Sequence, residues 1–342
     1  MSTDPRPAKC PREHNVDDDD EVETPITRSP DFWFDDGSVV LQVESTQFRV
    51  AKSMLAMHST GFRDMFMLPL SEDQPTVEGC PLVVLAGDTA EDWGHLLGAM
   101  YAKNCYFVGP EPISILAALL RLSKKYDIPV YRGEALARFK REYPTTLLEY
   151  DAILLASAAN NGWRDIFPEG GNVATLIISI NLARELQIFS VLPVALCCLD
   201  LNWDSEHGND GVLTPSFGPT LNAADQFRWL QAQLRAVQLR SKTVFKWLDP
   251  EYPLVPCDEC EKTNKCPLAV GEIAMKLLSD TENYILAQWS EILELFDSNV
   301  LCSPCLRVAE KAFTEGRQEA WDRLPEVFAL PPWDELKKMD FE

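Results

Sequence analysis

The apolar residues of this chain follow a strand period in only two short segments, and this limits the β-structure it can form. Val39, Leu41 and Val43 alternate with other residues, and Phe48 with Val50 begins a return strand after a turn at Ser45 and Thr46. A later apolar run at 81–86 is bounded by turn residues and predicts a buried strand.

Elsewhere the spacing is helical. From Leu55 to Phe66 the apolar residues recur three or four positions apart, and residues 130–246 contain no convincing strand pattern. We therefore predict an α+β N-terminal domain with short β-strands, followed by a mainly α-helical C-terminal region.

The length of 342 residues suits two domains and a tail. Residues 1–30 are acidic, rich in proline and almost free of large apolar side chains, which predicts a disordered tail. We place the α+β domain at 31–130, a helical region at 131–248 and a cysteine-containing helical module at 249–342.

The net charge is −22, from 31 basic and 53 acidic residues. Such a chain repels phosphate backbones and anionic lipid, so we expect no nucleic-acid or membrane partner. The first residues contain no apolar stretch of the secretory type, and no window of the sequence is apolar enough to span a bilayer. We expect an intracellular protein of the cytoplasm or nucleus, in which the ten cysteines stay reduced or bind metal.

Five of those cysteines lie in the C-terminal module. Cys257 and Cys260 form one C-x-x-C pair, Cys302 and Cys305 form a second, and Cys266 lies between them. Two such pairs can supply four thiolates to one tetrahedral zinc ion, so we predict a structural zinc site at Cys257, Cys260, Cys302 and Cys305. Cys266 could replace Cys257 or Cys260 as a ligand.

Two other readings of these cysteines stay open. They could be free structural thiols, or CSPC could act as a thiol oxidoreductase motif at a helix start. The segment between the pairs predicts a long helix over roughly 268–296, and Ser303 is a suitable N-cap with Pro304 at the first helical position.

The most basic segment follows an acidic loop predicted at 202–219. Asn222 is an N-cap candidate with Asp225 three residues later. The helix behind it has one apolar side, formed by Phe227, Leu230, Leu234 and Val237. Its basic residues are Arg228, Arg235, Arg240, Lys242 and Lys246. We interpret these as a solvated helix face.

The stretch DGSVVLQVESTQFRVAKSMLAMHSTGFRDMF, residues 36–66, resembles the opening of a BTB/POZ domain. VVLAGDTAEDWGHLLGAMY and LLRLSKKYDIP resemble later parts of the same domain, while Ala51 stands where many members have His. The phrases VEGCPLVVLAGD and WDRLPEVFALPPWDEL are similar to those of a BTB group found in mushroom-forming fungi. The family's F-x-V and L-x-x-x-S-x-x-F-x-x-M-F patterns fall on Phe48, Val50, Leu55, Ser59, Phe62, Met65 and Phe66.

The resemblance implies a protein-interaction module in which many members form homodimers through the first helix. Some members bind cullin scaffolds through a hydrophobic-x-Glu motif, and Leu70 and Glu72 lie at the matching offset here. A loop leucine beside a solvated glutamate is the simpler explanation of that pair.

We find no nucleophile elbow, zinc-protease motif, phosphate loop or dinucleotide fingerprint. We therefore expect a non-catalytic interaction adaptor. A cullin-ligase substrate receptor is the alternative within the binding class, and a thiol oxidoreductase is the alternative from another class.

Overall fold

The computed structural model describes residues 25–69, 71, 73–101, 112–159, 173–207, 219–279, 284–296 and 300–341. The chain separates into two compact units. One comprises the residues up to Ala51 together with Asp73–Ala90, and the other comprises Lys52–Glu72 together with Glu91–Glu342. Within the described residues, no helix has the length and apolarity needed to cross a membrane.

The first unit is a five-stranded sheet with the order β1-β3-β2-β5-β4. The pairs β1–β3 and β2–β5 are parallel, and β2–β3 and β4–β5 are antiparallel. The strands are β1 (Thr27–Trp33), β2 (Val39–Val43), β3 (Thr46–Val50), β4 (Thr76–Val77) and β5 (Cys80–Val84).

The hairpin β2–β3 and the strand β5 confirm the sequence prediction, with one shift at the turn. The pairing of Val43 with Thr46 leaves Glu44 and Ser45 as the turn residues. Glu44 has a φ of 51°, a left-handed conformation that a tight turn requires. Strand β1 begins at Thr27, inside the segment predicted as a tail.

The second unit is helical. Its helices are α1 (Lys52–His58), α2 (Thr60–Met67), α3 (Ala90–Met100), α4 (Ile113–Lys125), α5 (Pro129–Glu142), α6 (Leu147–Ala159), α7 (Val173–Leu186), α8 (Leu192–His207), α9 (Ala223–Lys242), α10 (Cys266–Ser279), α11 (Trp289–Glu294), α12 (Ser303–Asp322), α13 (Leu324–Val327) and α14 (Trp333–Met339). Short 3-10 turns lie at Phe189–Val191, Lys246–Leu248 and Tyr284–Leu286.

The continuous helical spacing from Leu55 to Phe66 is divided between α1 and α2. Ser59 has extended backbone angles (φ −120°, ψ 125°), and its side chain accepts a hydrogen bond from the Phe62 N–H at 3.0 Å. The same hydroxyl donates to the Tyr126 carbonyl at 2.5 Å. Ser59 thus caps α2 and ties it to the end of α4.

An aromatic cluster fills the interior beside this cap. The Phe62 ring stacks on Tyr126 with centroids 4.8 Å apart, and Trp93 meets both rings edge-on at 5.8 and 5.3 Å. Phe62 and Trp93 are 2% and 0% exposed. We call Phe62, Trp93 and Tyr126 the aromatic cluster.

Helix α12 is fixed along its length by polar and steric contacts. The buried Arg317 guanidinium donates to Asp151 at 2.5 and 2.8 Å and to the Leu286 carbonyl. A Cβ added at Gly316 would lie 2.2 Å from the Thr243 carbonyl oxygen, so only glycine permits this close approach. Trp321 donates from its indole N–H to the Thr145 carbonyl at 3.3 Å. These contacts fix the C-terminal half of α12, the helix whose start carries two of the cysteines.

Three helical predictions need correction. Helix α8 continues to His207, so the first residues of the predicted acidic loop at 202–219 are helical, and 208–218 lie outside the described residues. The helix predicted over 268–296 is replaced by α10, a 3-10 turn and α11. Cys302, not Ser303, is the N-cap of α12.

Candidate metal centre

Five cysteines converge where three chain segments meet in the helical unit. Cys257 and Cys260 belong to one turn, in which the Cys260 N–H donates to the Cys257 carbonyl at 3.0 Å. Cys266 is the first residue of α10. Cys302 caps α12, and Cys305 lies in its first turn. Helix starts therefore position three of the five thiols.

Four of these thiols form a compact group. The Sγ atoms of Cys260, Cys266, Cys302 and Cys305 all lie within 4.8 Å of one another. Cys302 Sγ and Cys260 Sγ are 3.8 Å apart. A tetrahedral ion with Zn–S bonds of about 2.3 Å requires sulfur atoms about 3.8 Å apart. The four cysteines can therefore hold a metal ion.

The group differs by one member from the predicted set. Cys257 Sγ lies 3.6 Å from Cys305 Sγ but does not belong to the mutually close group. Cys266, which the sequence offered only as a replacement, does belong to it. Its sulfur also accepts the Cys302 backbone N–H at 3.4 Å.

Burial and hydrogen bonding give the thiols different acidities. Burial alone would raise the pKa of Cys302, but backbone N–H groups of Cys305 and Glu261 stabilise its thiolate and lower that pKa to about 6. Burial is the main cause that raises the pKa values of Cys266 and Cys305. A cation that binds here must therefore displace the protons of Cys266 and Cys305, whose thiols are the harder ones to ionise.

The exposure of the sulfur-bearing residues also limits their chemistry. Cys266, Cys302 and Cys305 are 0%, 2% and 0% exposed, whereas Cys257 and Cys260 are partly accessible. All five are free thiols, since the sulfur separations of 3.6 and 3.8 Å far exceed a disulfide bond of about 2.05 Å. Buried soft ligands facing one point suit zinc better than they suit attack on a large substrate.

The other cysteines of the described segments do not belong to this group. Cys197 and Cys198 are buried in α8, and the Cys80 thiol donates to the Gly37 carbonyl at 3.2 Å. Cys10 and Cys105 lie outside the described residues. The predicted partner-binding residues Leu70 and Glu72 also lie outside them.

Comparison with known families gives one match. The family model of the BTB/POZ domain matches residues 33–134. A search of curated proteins finds none that matches this chain.

The match covers the strands β2–β5 and the helices α1–α4, which include the aromatic cluster and the Ser59 cap. A BTB domain is a non-catalytic module for protein–protein interaction. This chain therefore carries an N-terminal BTB/POZ domain with a short β-sheet and helices, followed by a mostly helical C-terminal region.

Proposed function

We propose that this protein is a non-catalytic interaction adaptor that acts through its BTB domain. The observation that carries the proposal is the BTB match over residues 33–134. We also propose that the domains span 31–130, 131–248 and 249–342. Strand β1 extends the first of them to Thr27. VEGCPLVVLAGD and WDRLPEVFALPPWDEL support the fungal group, and buried cysteines that form no disulfide suit an intracellular compartment.

Self-association through the first helices is the form of interaction that we favour. Met57 on α1 is 69% exposed, and Met67 and Leu68 at the end of α2 are 75% and 67% exposed. Exposed large apolar side chains, such as the adjacent pair Met67 and Leu68, are typical of a protein interface. They supply the exposed apolar surface that a homodimer through the first helix would bury.

Light scattering on the full chain tests this form of interaction. We expect a dimer, and the double substitution Met57→Glu and Met67→Glu should convert it to a monomer. Leu148→Glu is the matched control, because Leu148 is 80% exposed on α6. A monomeric unmodified protein would refute self-association.

A cullin partner is the second candidate, supported by Leu70 and Glu72 at the offset of the hydrophobic-x-Glu motif. A pulldown with a cullin N-terminal region should recover the unmodified protein, and Glu72→Lys should abolish recovery. If the unmodified protein is not recovered, the receptor role is excluded.

We further propose that Cys260, Cys266, Cys302 and Cys305 bind one structural zinc ion. Their mutual approach within 4.8 Å and their burial support it. When bound, zinc supplies a covalent-like link among the turn at 257–260, the start of α10 and the start of α12. The chain's own contribution is to orient the four sulfur atoms and to exclude water from three of them.

The thiol oxidoreductase alternative rests on the C-x-x-C at the start of α12 and the lowered pKa of Cys302. The burial of Cys302 and Cys305 disfavours it, because a disulfide substrate must reach the attacking sulfur. Turnover in an insulin-reduction assay, lost in Cys302→Ser, would favour the oxidoreductase over the zinc site.

A further inference from the structure

Helix α9 is apolar on two opposite sides. Its inner side is buried through Trp229, Ala232, Ala236 and Leu239. The outer side contains the apolar residues that the sequence had placed together, and they are exposed: Phe227 62%, Leu230 53%, Leu234 65% and Val237 47%. Scattered exposed apolar residues are ordinary, but four in one line along a helix indicate a binding face.

A groove begins where this line ends. Val237 borders a cavity of about 700 Å³, whose far wall is the α10 face carrying Val270, Ala274 and Met275. Phe245 and Trp247, beside the 3-10 turn, also line the cavity. We call the line from Phe227 to Val237 together with this cavity the α9 groove.

The net charge of the segment that contains α9 is opposite in sign to the net charge of the whole chain. Residues 223–246 carry five basic residues and one acidic residue, a net charge of +4, while the remainder of the chain carries −26. Lys242 and Lys246 are exposed, and neither forms an ion pair with a carboxylate in the described part of the chain. The cavity itself is lined by one basic and one acidic side chain, Arg240 and Asp249. The excess positive charge beside the groove comes from Lys242 and Lys246, which adjoin the lining residues Ser241 and Phe245.

We propose that the α9 groove binds an acidic amphipathic helix of a partner protein. The complementary helix would present Leu- or Phe-type residues at i, i+3 and i+7, flanked by Asp and Glu. From Phe227 to Val237 the helix rises about 15 Å, so three turns of a partner helix would cover the line.

Two other occupants fit less well. A second copy of the chain would bring two basic α9 faces together, which like-charge repulsion opposes. Basic amphipathic helices also bind anionic membranes, but a bilayer surface does not enter a concave groove and the chain's acidity repels it.

The test uses the full chain and a synthetic 20-residue helical peptide with leucines on one face and glutamates on its flanks. Its twin has lysine in place of each glutamate. We expect the glutamate peptide to bind at least about tenfold more tightly than its twin. Equal binding by the two peptides, or no binding by the glutamate peptide, would overturn the proposal.

Two variants locate the binding site. Leu234→Glu places a negative charge in the apolar line on α9. Gly271→Phe fills the cavity, because a Cβ at Gly271 meets no atom within 4 Å. Each should weaken binding about tenfold. Gly133→Phe is the matched control, because a Cβ at Gly133 on α5 also meets no atom within 4 Å, and it should leave binding unchanged.

Thermal unfolding and circular dichroism check that the variants fold. Retained peptide affinity in a folded Leu234→Glu or Gly271→Phe variant would overturn the assignment. So would preferential binding to phosphatidylserine vesicles, or a lower subunit number in Leu234→Glu. These readouts do not involve the BTB domain, and they are taken on protein purified without chelator, because α10 forms one wall of the α9 groove.

Discussion

The aromatic cluster and the four-cysteine group of the helical unit differ in the chemistry that can stabilise them. The aromatic cluster holds α2, α3 and α4 together by burial and ring packing, which need neither metal nor a particular protonation state. The thiol cluster, formed by Cys260, Cys266, Cys302 and Cys305, brings four sulfur atoms within 4.8 Å of one another, an arrangement whose stability depends on protonation and on metal binding. We therefore expect the core of the BTB part to form without metal, and the segments that carry the four cysteines to depend on the zinc ion that we propose.

The largest effect should follow from removing the metal. In small zinc modules, binding contributes on the order of 10 kcal/mol of apparent folding free energy at neutral pH. Cys302→Ser, or a strong chelator, should therefore unfold the region around α10 and the start of α12. Hydrogen exchange with mass spectrometry should show lost protection there, with α2 to α4 unchanged.

If chelation leaves hydrogen exchange at the start of α12 unaltered, the expected difference between the aromatic cluster and the cysteine group is contradicted. Cys197→Ser is the matched control, since Cys197 is also a buried cysteine but lies in α8, away from the centre. It should leave zinc content and the metal dependence unchanged.

Truncating the aromatic cluster should give the next largest effect. Phe62→Ala removes a ring that is 2% exposed and should cost about 3–5 kcal/mol of unfolding free energy. Urea unfolding measures this cost. The same loss should appear with and without zinc, and a zinc-dependent loss would contradict the independence of the two clusters.

A pH titration of the unfolding free energy separates the effect of protonating a buried carboxylate from the effect of losing metal. Burial tends to raise the pKa of the Asp225 carboxyl, but hydrogen bonds and charge from Arg184, together with Asn222 and Arg228, hold that pKa below its usual range. Its contribution to stability is thus complete above about pH 4 and is lost as the pH falls through the lowered folded-state pKa.

Asp225→Asn should destabilise the protein at neutral pH by about 1.5–3 kcal/mol, because Arg184 and Arg228 lose charge-assisted hydrogen bonds to a buried carboxylate. The variant should also lose stability less steeply than the unmodified protein below pH 4. Equal acid sensitivity of the two proteins, measured without zinc, would count against this role.

The smallest effect should follow from substituting Cys257, the cysteine outside the group of four. Cys257→Ser should keep its zinc and change stability by less than about 1 kcal/mol, since Cys257 is outside the mutually close group. Cys266→Ser should lose zinc. The reverse result would restore the ligand set expected from the two C-x-x-C pairs.

Much of the BTB part follows from sequence, because each of its elements has a local signal. The hairpin alternates, and Ser59 and Phe62 keep the spacing of a capped helix. Strand β1 was missed because TRSPDFW contains a proline and does not alternate, and its parallel pairing with β3 is a long-range event.

The approach of the two C-x-x-C pairs to each other follows from the sequence, but the membership of Cys266 in the close group could not be decided from spacing. The two C-x-x-C pairs signalled convergence, yet the position of Cys266 depends on where α10 begins and on the break between α10 and α11. Likewise, the spacing identified the apolar side of α9 but not which side faces solvent, because Trp229 and two alanines cover the inner side.

Native mass spectrometry of the full chain, purified without added chelator, tests most directly whether the C-terminal module is a metal-dependent structure beside a metal-independent BTB domain. We predict one zinc ion per chain, retained in Phe62→Ala and absent in Cys302→Ser. A folded chain that carries no metal, with α12 protected from exchange from its first turn, would contradict the account.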